Sequence, residues 1–317
     1  MIAKQIAFLL LIVSFLVQPG CAVTSIDSTS ETAGVSISMD SMMETLNSNR
    51  RGPIKFTRVI AADWQVDRGG LINLDHPKAE EANLESGLEP IQIYFYVIDH
   101  PQKGRFFIDT GMGSVFKGSA EDWPVSGMVQ SVMNMDLLKI HTITSDWMQA
   151  NGGAPDGVFL THMHLDHILG SGDIDSATPF YIGPRESTAG LFLNMFVQGS
   201  TDDILGEKRN LRELDFGDSE DSASEDLKIL DFFGDGSLYV LHVPGHTAGS
   251  LAFLVRTTDG LQMVVGDTSH TAWGWKNNVP PGSFTSDQEM NVRSLNVLIQ
   301  IANTLNGIKV HLGHQSL

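Results

Sequence analysis

Cysteine is all but missing from this sequence: Cys21 is the single one in 317 residues. That excludes, within one chain, a disulfide scaffold, a four-cysteine zinc finger, a CxxC redox pair and an iron–sulfur cluster. Basic side chains are also scarce, with 20 Lys plus Arg against 38 Asp plus Glu and a formal net charge of -18. A surface that acidic repels phosphate backbones and argues against a nucleic-acid partner. Beyond the N-terminus no apolar run approaches the ~20 residues of a helical membrane span. There is no Gly-x-Ser-x-Gly elbow for a serine nucleophile, and internal repeats are absent. What remains is 42% hydrophobic and 18% charged, the composition of a folded globular chain. Its length suffices for one large domain or two ordinary ones.

The N-terminus reads Met1-Ile2-Ala3-Lys4, then an apolar run over residues 6–17, then Gln18-Pro19-Gly20-Cys21. A basic start and a short apolar run have the shape of a secretory signal. With the lone cysteine at the cut point, the segment resembles a bacterial lipoprotein signal. Gly20 and Cys21 match that pattern, whereas Gln18 and Pro19 stand where a leucine and a small residue are usual. The resemblance implies an acylated Cys21, a stable anchor because each buried methylene contributes ~0.8 kcal/mol. Ala22 in place of Asp favours the outer membrane; the alternative is plain secretion with Cys21 free or buried. Residues 22–52 are rich in Ser and Thr and poor in aromatics. They are expected to be a flexible tether. The expected organisation is a signal over 1–20, a lipidated cysteine and tether over 21–52, and a catalytic body over 53–317.

Within the body, β-rich runs occupy 54–60, 91–98 and 106–108, the last leading into Asp109-Thr110-Gly111. Residues 125–150 have helical spacing in pieces, and a Gly-Gly-Ala-Pro break follows. A short apolar strand over 158–160 then leads into Thr161-His162-Met163-His164-Leu165-Asp166-His167. Further strands over 238–243, 251–255 and 263–265, a helix over 287–305 and a last strand over 308–312 complete the pattern. Strands in both halves with helices between them predict two sheets packed face to face with helices outside. Residues 202–235 carry 12 acidic and four basic side chains and read as a solvated loop or insertion.

His162, His164, Asp166 and His167 lie within six residues, directly after a buried strand. Residues two apart on an extended segment point the same way, so His162 and His164 can reach one ion together. Three later strands lead into His246, Asp267 and His314. Imidazole and carboxylate suit zinc and other divalent metals. The set His162-x-His164-x-Asp166-His167, His246, Asp267, His314 resembles the metallo-β-lactamase superfamily of metal-dependent hydrolases over roughly residues 54–317. The resemblance implies an αββα sandwich of two mixed sheets with outer helices and a site for two divalent ions, expected to be Zn2+. One ion would take His162, His164 and His246, the other Asp166, His167 and His314, with Asp267 bridging. Asp109 would be a buried structural aspartate that supports the ligand loop.

Two such ions make hydroxide available near neutral pH to attack a carbonyl carbon or a phosphorus, and Asp166 is the candidate to relay a proton to the leaving group. The 21-residue gap from His246 to Asp267, and Gly313-His314 near the end, are similar to N-acyl-homoserine lactonases. In those enzymes a tyrosine three residues after the bridging aspartate bonds the substrate carbonyl; here the position is His270. By default the histidines outside the ligand set, His76, His100, His141, His242, His270 and His311, are expected to be ordinary surface or core residues. The 191–197 stretch is apolar except at Asn194; with Trp273 and Trp275 it could wall the site, or be core or a homodimer contact. Pro280-Pro281-Gly282 reads as a rigid loop at the same edge. The expected substrate is a lactone or other carboxylic ester. The rivals are a phosphotriester or arylsulfate, and a non-catalytic binding protein on the same fold.

Overall fold

The computed structural model describes residues 21–317 apart from Asn49, Phe192, residues 218–226 and Asn306. The signal assigned to residues 1–20 and the acidic centre at 218–226 lie outside the described residues. The strands are β1 (Ser28–Glu31), β2 (Val35–Ser36), β3 (Lys55–Asp67), β4 (Leu88–His100), β5 (Gly104–Ile108), β6 (Lys139–Ile140) and β7 (Gly157–Phe159), followed by β8 (Phe180–Ile182), β9 (Leu211–Leu214), β10 (Lys228–Asp231), β11 (Leu238–His242), β12 (Leu251–Thr257), β13 (Gly260–Val264) and β14 (Lys309–His311). They form an eight-stranded sheet in the order β1-β9-β8-β7-β5-β4-β3-β6 and a six-stranded sheet in the order β14-β13-β12-β11-β10-β2. Both sheets are mixed: β5, β7, β8, β9 and β1 run parallel in the first, and β13 with β14 in the second.

Side-chain alternation along β4 shows why the layers form. Tyr94, Tyr96 and Ile98 enter the core between the sheets and meet Leu238, Val240 and Phe253. Phe95 and Val97 point the other way, into a core capped by the outer helices of the first sheet. A third core lies outside the second sheet, where Leu298 and Ile301 of the helix Gln288–Thr304 cover Leu241 and Leu254. The result is helices, sheet, sheet, helices, the αββα sandwich expected from the residues.

The tether expected over 22–52 is corrected by the structure. Backbone hydrogen bonds recruit the segment: β1 pairs with β9 and β2 with β10. The helix Met39–Ser48 buries Met42 and Leu46, one turn apart, in the third core. Part of the 202–235 insertion is likewise structural. It contains the end of the helix Asn194–Leu205 and the strands β9 and β10.

His311 of β14 pairs through Nε2 with Gln262 Oε1 at 2.8 Å, and burial, then Arg58 and Lys309, pushes its ring down to about 4. A depressed histidine stabilises the fold above the unfolded value of 6.5 and loses that contribution as pH falls towards 4. Over that window the loss is up to about 3 kcal/mol at ~1.4 kcal/mol per pH unit. Chemical denaturation at several pH values should show this slope, and it should flatten in His311→Gln.

Candidate metal centre

The strands that run alike deliver their ends to one edge. β5 and β7 are parallel, and β11, β13 and β14 share a direction across the second sheet. Asp109 follows β5, the 161–167 loop follows β7, His246 follows β11, Asp267 follows β13 and His314 follows β14. The two sheets are joined at that edge by Leu251 N–H donating to the Thr161 carbonyl at 2.8 Å. Gly313 permits the closest approach: a Cβ there would lie 2.0 Å from Asp267 Oδ1.

All seven expected ligands converge. His246 Nε2 lies 3.1 Å from His162 Nε2 and 2.9 Å from His164 Nδ1. His314 Nε2 lies 3.2 Å from both Asp166 Oδ2 and Asp267 Oδ2. Asp267 Oδ2 is the hub, within 3.7 Å of His162, 3.4 Å of His167 and 3.6 Å of His246. That single oxygen faces imidazoles from both groups. Ligand atoms that could hold a metal form three groups among the described residues: His162, His164, His246 and Asp267; Asp166, His167 and His314; and Asp267, His270 and His314. Only His164 and Asp166 of the seven are not fully buried, so the centre opens on their side.

Electrostatics divide the centre. Burial, helped by neighbouring histidines, holds His162 and His246 well below the ordinary imidazole value and brings His164 down to about 4. These three are neutral and offer lone pairs. Burial also acts against a charged His314, yet the Asp267 and Asp166 carboxylates outweigh it and raise the ring to about 10. His167 is raised in the same way by Asp267, Asp109 and Asp166. Asp166, despite its burial, is brought down to about 2 by His167 and His314. His167 Nε2 and Asp267 Oδ1 are buried without a hydrogen-bond partner, although buried polar atoms are normally paired. Three converging neutral imidazoles and two orphaned ligand atoms fit divalent cations.

Residues around the ligands set their aim. Asp109 accepts from Thr161 N at 2.7 Å and pairs with His167 Nδ1 at 2.8 Å, which directs Nε2 of that ring at the centre. Asp109 adopts φ 60°, a conformation that costs a non-glycine residue about 1–3 kcal/mol and persists where surroundings over-determine it. His314 Nδ1 donates to the Gln92 carbonyl at 3.0 Å. The loop at Pro280-Pro281-Gly282 reaches the same edge, where Thr285 Oγ1 lies 3.3 Å from His246 Nδ1.

Sequence reasoning missed Glu186. Its buried carboxylate accepts from Met163 N at 2.7 Å, Thr247 Oγ1 at 2.7 Å and Gly249 N at 2.9 Å, and burial raises its pKa. It therefore ties the loop of His162 and His164 to the loop of His246. The only signal in the sequence was a lone acid between a strand and an apolar stretch.

His270 belongs to the centre as well. Its Nε2 lies 3.0 Å from Asp267 Oδ2 and its ring stacks on His314, with centroids 5.6 Å apart. The remaining histidines are taken up elsewhere. His76 caps the helix Pro77–Glu81, His100 pairs with Asp235, His141 with Asp63 and His242 with the Ala248 carbonyl. Trp273 packs against the outer core of the first sheet and Trp275 against that of the second. In the 191–197 stretch Leu193 and Met195 are more than half exposed, whereas Asn194 is buried and Val197 packs against the outer core of the first sheet.

The family model described as Metallo-beta-lactamase superfamily matches residues 88–302. The chain belongs to that superfamily. It is thus a member of a superfamily of metal-dependent hydrolases, related to N-acyl homoserine lactonases. It is 28% identical over 232 residues to the N-acyl homoserine lactonase AttM of Rhizobium johnstonii, covering 71% of this chain and 82% of that one. It is 29% identical over 160 residues to the Gamma-lactamase MBL2 of Gibberella moniliformis, which is 48% of this chain. The matched part spans 65% of that relative, less than two thirds of its length. Among solved structures, a B. thuringiensis AiiA mutant with N-decanoyl-L-homoserine bound at the active site superposes with a TM-score of 0.57 at 17% identity, covering 84% of this chain and 94% of that one. AidC, a dizinc quorum-quenching lactonase, superposes with a TM-score of 0.52 at 15% identity over 90% of this chain and 92% of that one. These likenesses establish the fold.

Proposed function

We propose that this chain hydrolyses lactones or related carboxylic esters, N-acyl-homoserine lactones among them, with two zinc ions in the centre. The observation that carries the reading is Asp267 Oδ2 between the two histidine groups, supported by the relationship to AttM through 71% of the chain. His162, His164 and His246 would hold one ion, and Asp166, His167 and His314 the other. When bound, the ions supply Lewis acidity and a water nucleophile at neutral pH. The residues of the chain orient that chemistry. Asp109 and the Gln92 carbonyl fix the rings of His167 and His314. Asp166 is part-exposed, with 12% of its side chain accessible, and would carry a proton to the leaving oxygen. His270, at the position of the lactonase tyrosine, holds Nε2 3.0 Å from Asp267 Oδ2 and would donate to the substrate carbonyl.

The test is acid release from a long-chain acyl-homoserine lactone by the zinc-loaded full chain. Turnover should be rapid, be lost in His164→Ala, and fall about 10²-fold or more in Asp166→Asn with both metals retained, as expected for a lost general acid. His270→Ala should lower turnover with metals retained. No lactone turnover by protein carrying two metals would reject the reading. A γ-lactam is the second reading, favoured by two relatives named gamma-lactamase, and belongs in the same assay. A phosphotriester and an arylsulfate complete the set.

A further inference from the structure

We propose that the face formed by Leu191, Leu193, Met195 and Phe196 docks on a zwitterionic lipid bilayer. These side chains are 38%, 69%, 53% and 46% exposed. They are four of the thirteen exposed large apolar side chains among the described residues and fall in one short stretch, a clustering that single scattered surface residues do not produce. Met195 and Phe196 line one surface hollow with Gly127 and Gln130.

The occupant follows from where the chain arrives. The Cys21 carbonyl accepts from Leu191 N at 3.2 Å and from Asn194 Nδ2 at 2.9 Å, and the Ala22 carbonyl accepts from Gln198 Nε2 at 2.8 Å. Residues 23–25 are then fastened to Ser187 and Asp202. No slack lies between Cys21 and the apolar face. The twenty residues before Cys21 include the apolar run over 6–17, so the most apolar segment of the sequence joins the body at the edge of this patch. Acyl chains on Cys21 would enter a bilayer at the same place. The ordered 21–48 segment cannot lift the body away, as a tether would, so anchoring brings this face onto the lipid. Charge selects the lipid. The chain carries a formal -18, and Glu121 and Asp203 border the hollow. That border is repelled by anionic headgroups, and a second copy of the chain would press it against itself.

The experiment uses the full chain with Cys21→Ser, so that an introduced cysteine is the sole thiol. Met195→Cys and, separately, Leu193→Cys carry an environment-sensitive nitrobenzoxadiazole label, and Val292→Cys, 38% exposed on the helix Gln288–Thr304, carries the control. Equal metal content and melting temperature establish that each variant is folded. With phosphatidylcholine vesicles, the labels at 193 and 195 should shift to the blue and lose intensity to spin-labelled lipid, while the label at 292 should do neither. Absence of quenching at 193 and 195 in protein that floats with the vesicles would overturn the proposal, since the N-terminus alone would then hold it. Shielding of the 195 label before lipid is added would also overturn it. Concentration-dependent shielding would identify a second copy as the occupant, and concentration-independent shielding would identify residues 1–20.

Discussion

Asp267→Ala should reduce turnover by about 10³-fold or more, on the order of 4 kcal/mol of barrier at ~1.4 kcal/mol per tenfold. The reason is the position of one atom. Asp267 Oδ2 lies within 3.7 Å of ring nitrogens from His162, His167, His246, His270 and His314. Asp166, by contrast, pairs with His167 and His314. Its loss removes the negative charge that would offset two cations and that holds His167 and His314 above their ordinary values. The variant should therefore bind less than two metals per chain, and the deficit should appear in the same samples that lose activity. Asp267→Asn keeps the shape and one oxygen but not the charge, and should fall between the wild type and the alanine variant. Two tightly bound metals with full turnover in Asp267→Ala would show that the bridging assignment is wrong.

Glu186→Ala should destabilise the protein by about 3 kcal/mol and weaken metal binding by about 10- to 100-fold. The first figure comes from leaving Met163 N and Gly249 N buried without an acceptor, at about 1–3 kcal/mol each. The second is typical for losing a group that orients metal ligands. Glu186 touches no ligand side chain. It fixes the backbone between His162 and His164 and the turn after His246, and with it the spacing of three ring nitrogens 2.9 and 3.1 Å apart. Thermal melting and chelator competition separate the two effects. Lost stability with unchanged zinc affinity would make Glu186 a brace for the loops with no part in aiming the ligands. Glu186→Gln keeps one acceptor oxygen and should recover part of both losses.

The centre was legible because ligand chemistry is local. Four ligand-type residues in six positions after an apolar strand seldom serve anything but a metal, and His246, Asp267 and His314 each close a β-rich run. The histidines outside the centre carried no such context. His100 and His141 proved to lie against the carboxylates of Asp235 and Asp63, and His76 to cap a helix. The N-terminal segment misleads for a physical reason. β1 and β2 join their sheets through backbone hydrogen bonds, which Ser and Thr neither announce nor prevent, and their side chains are largely exposed. The helix Met39–Ser48 rests on two buried side chains, too few to mark a periodicity.

By itself, then, the sequence determined the layered architecture and marked the seven side chains that converge at one edge, because alternation, helical spacing and the His-x-His-x-Asp-His run are properties of neighbouring residues. Tertiary structure alone decided the rest. It made Glu186 the link between two ligand loops, drew His270 onto Asp267, bound residues 21–48 to the body and turned Leu193 and Met195 outward. Each of these depends on contacts between segments distant in the chain, where burial and the supply of hydrogen-bond partners are set by the packing of strands rather than by local pattern.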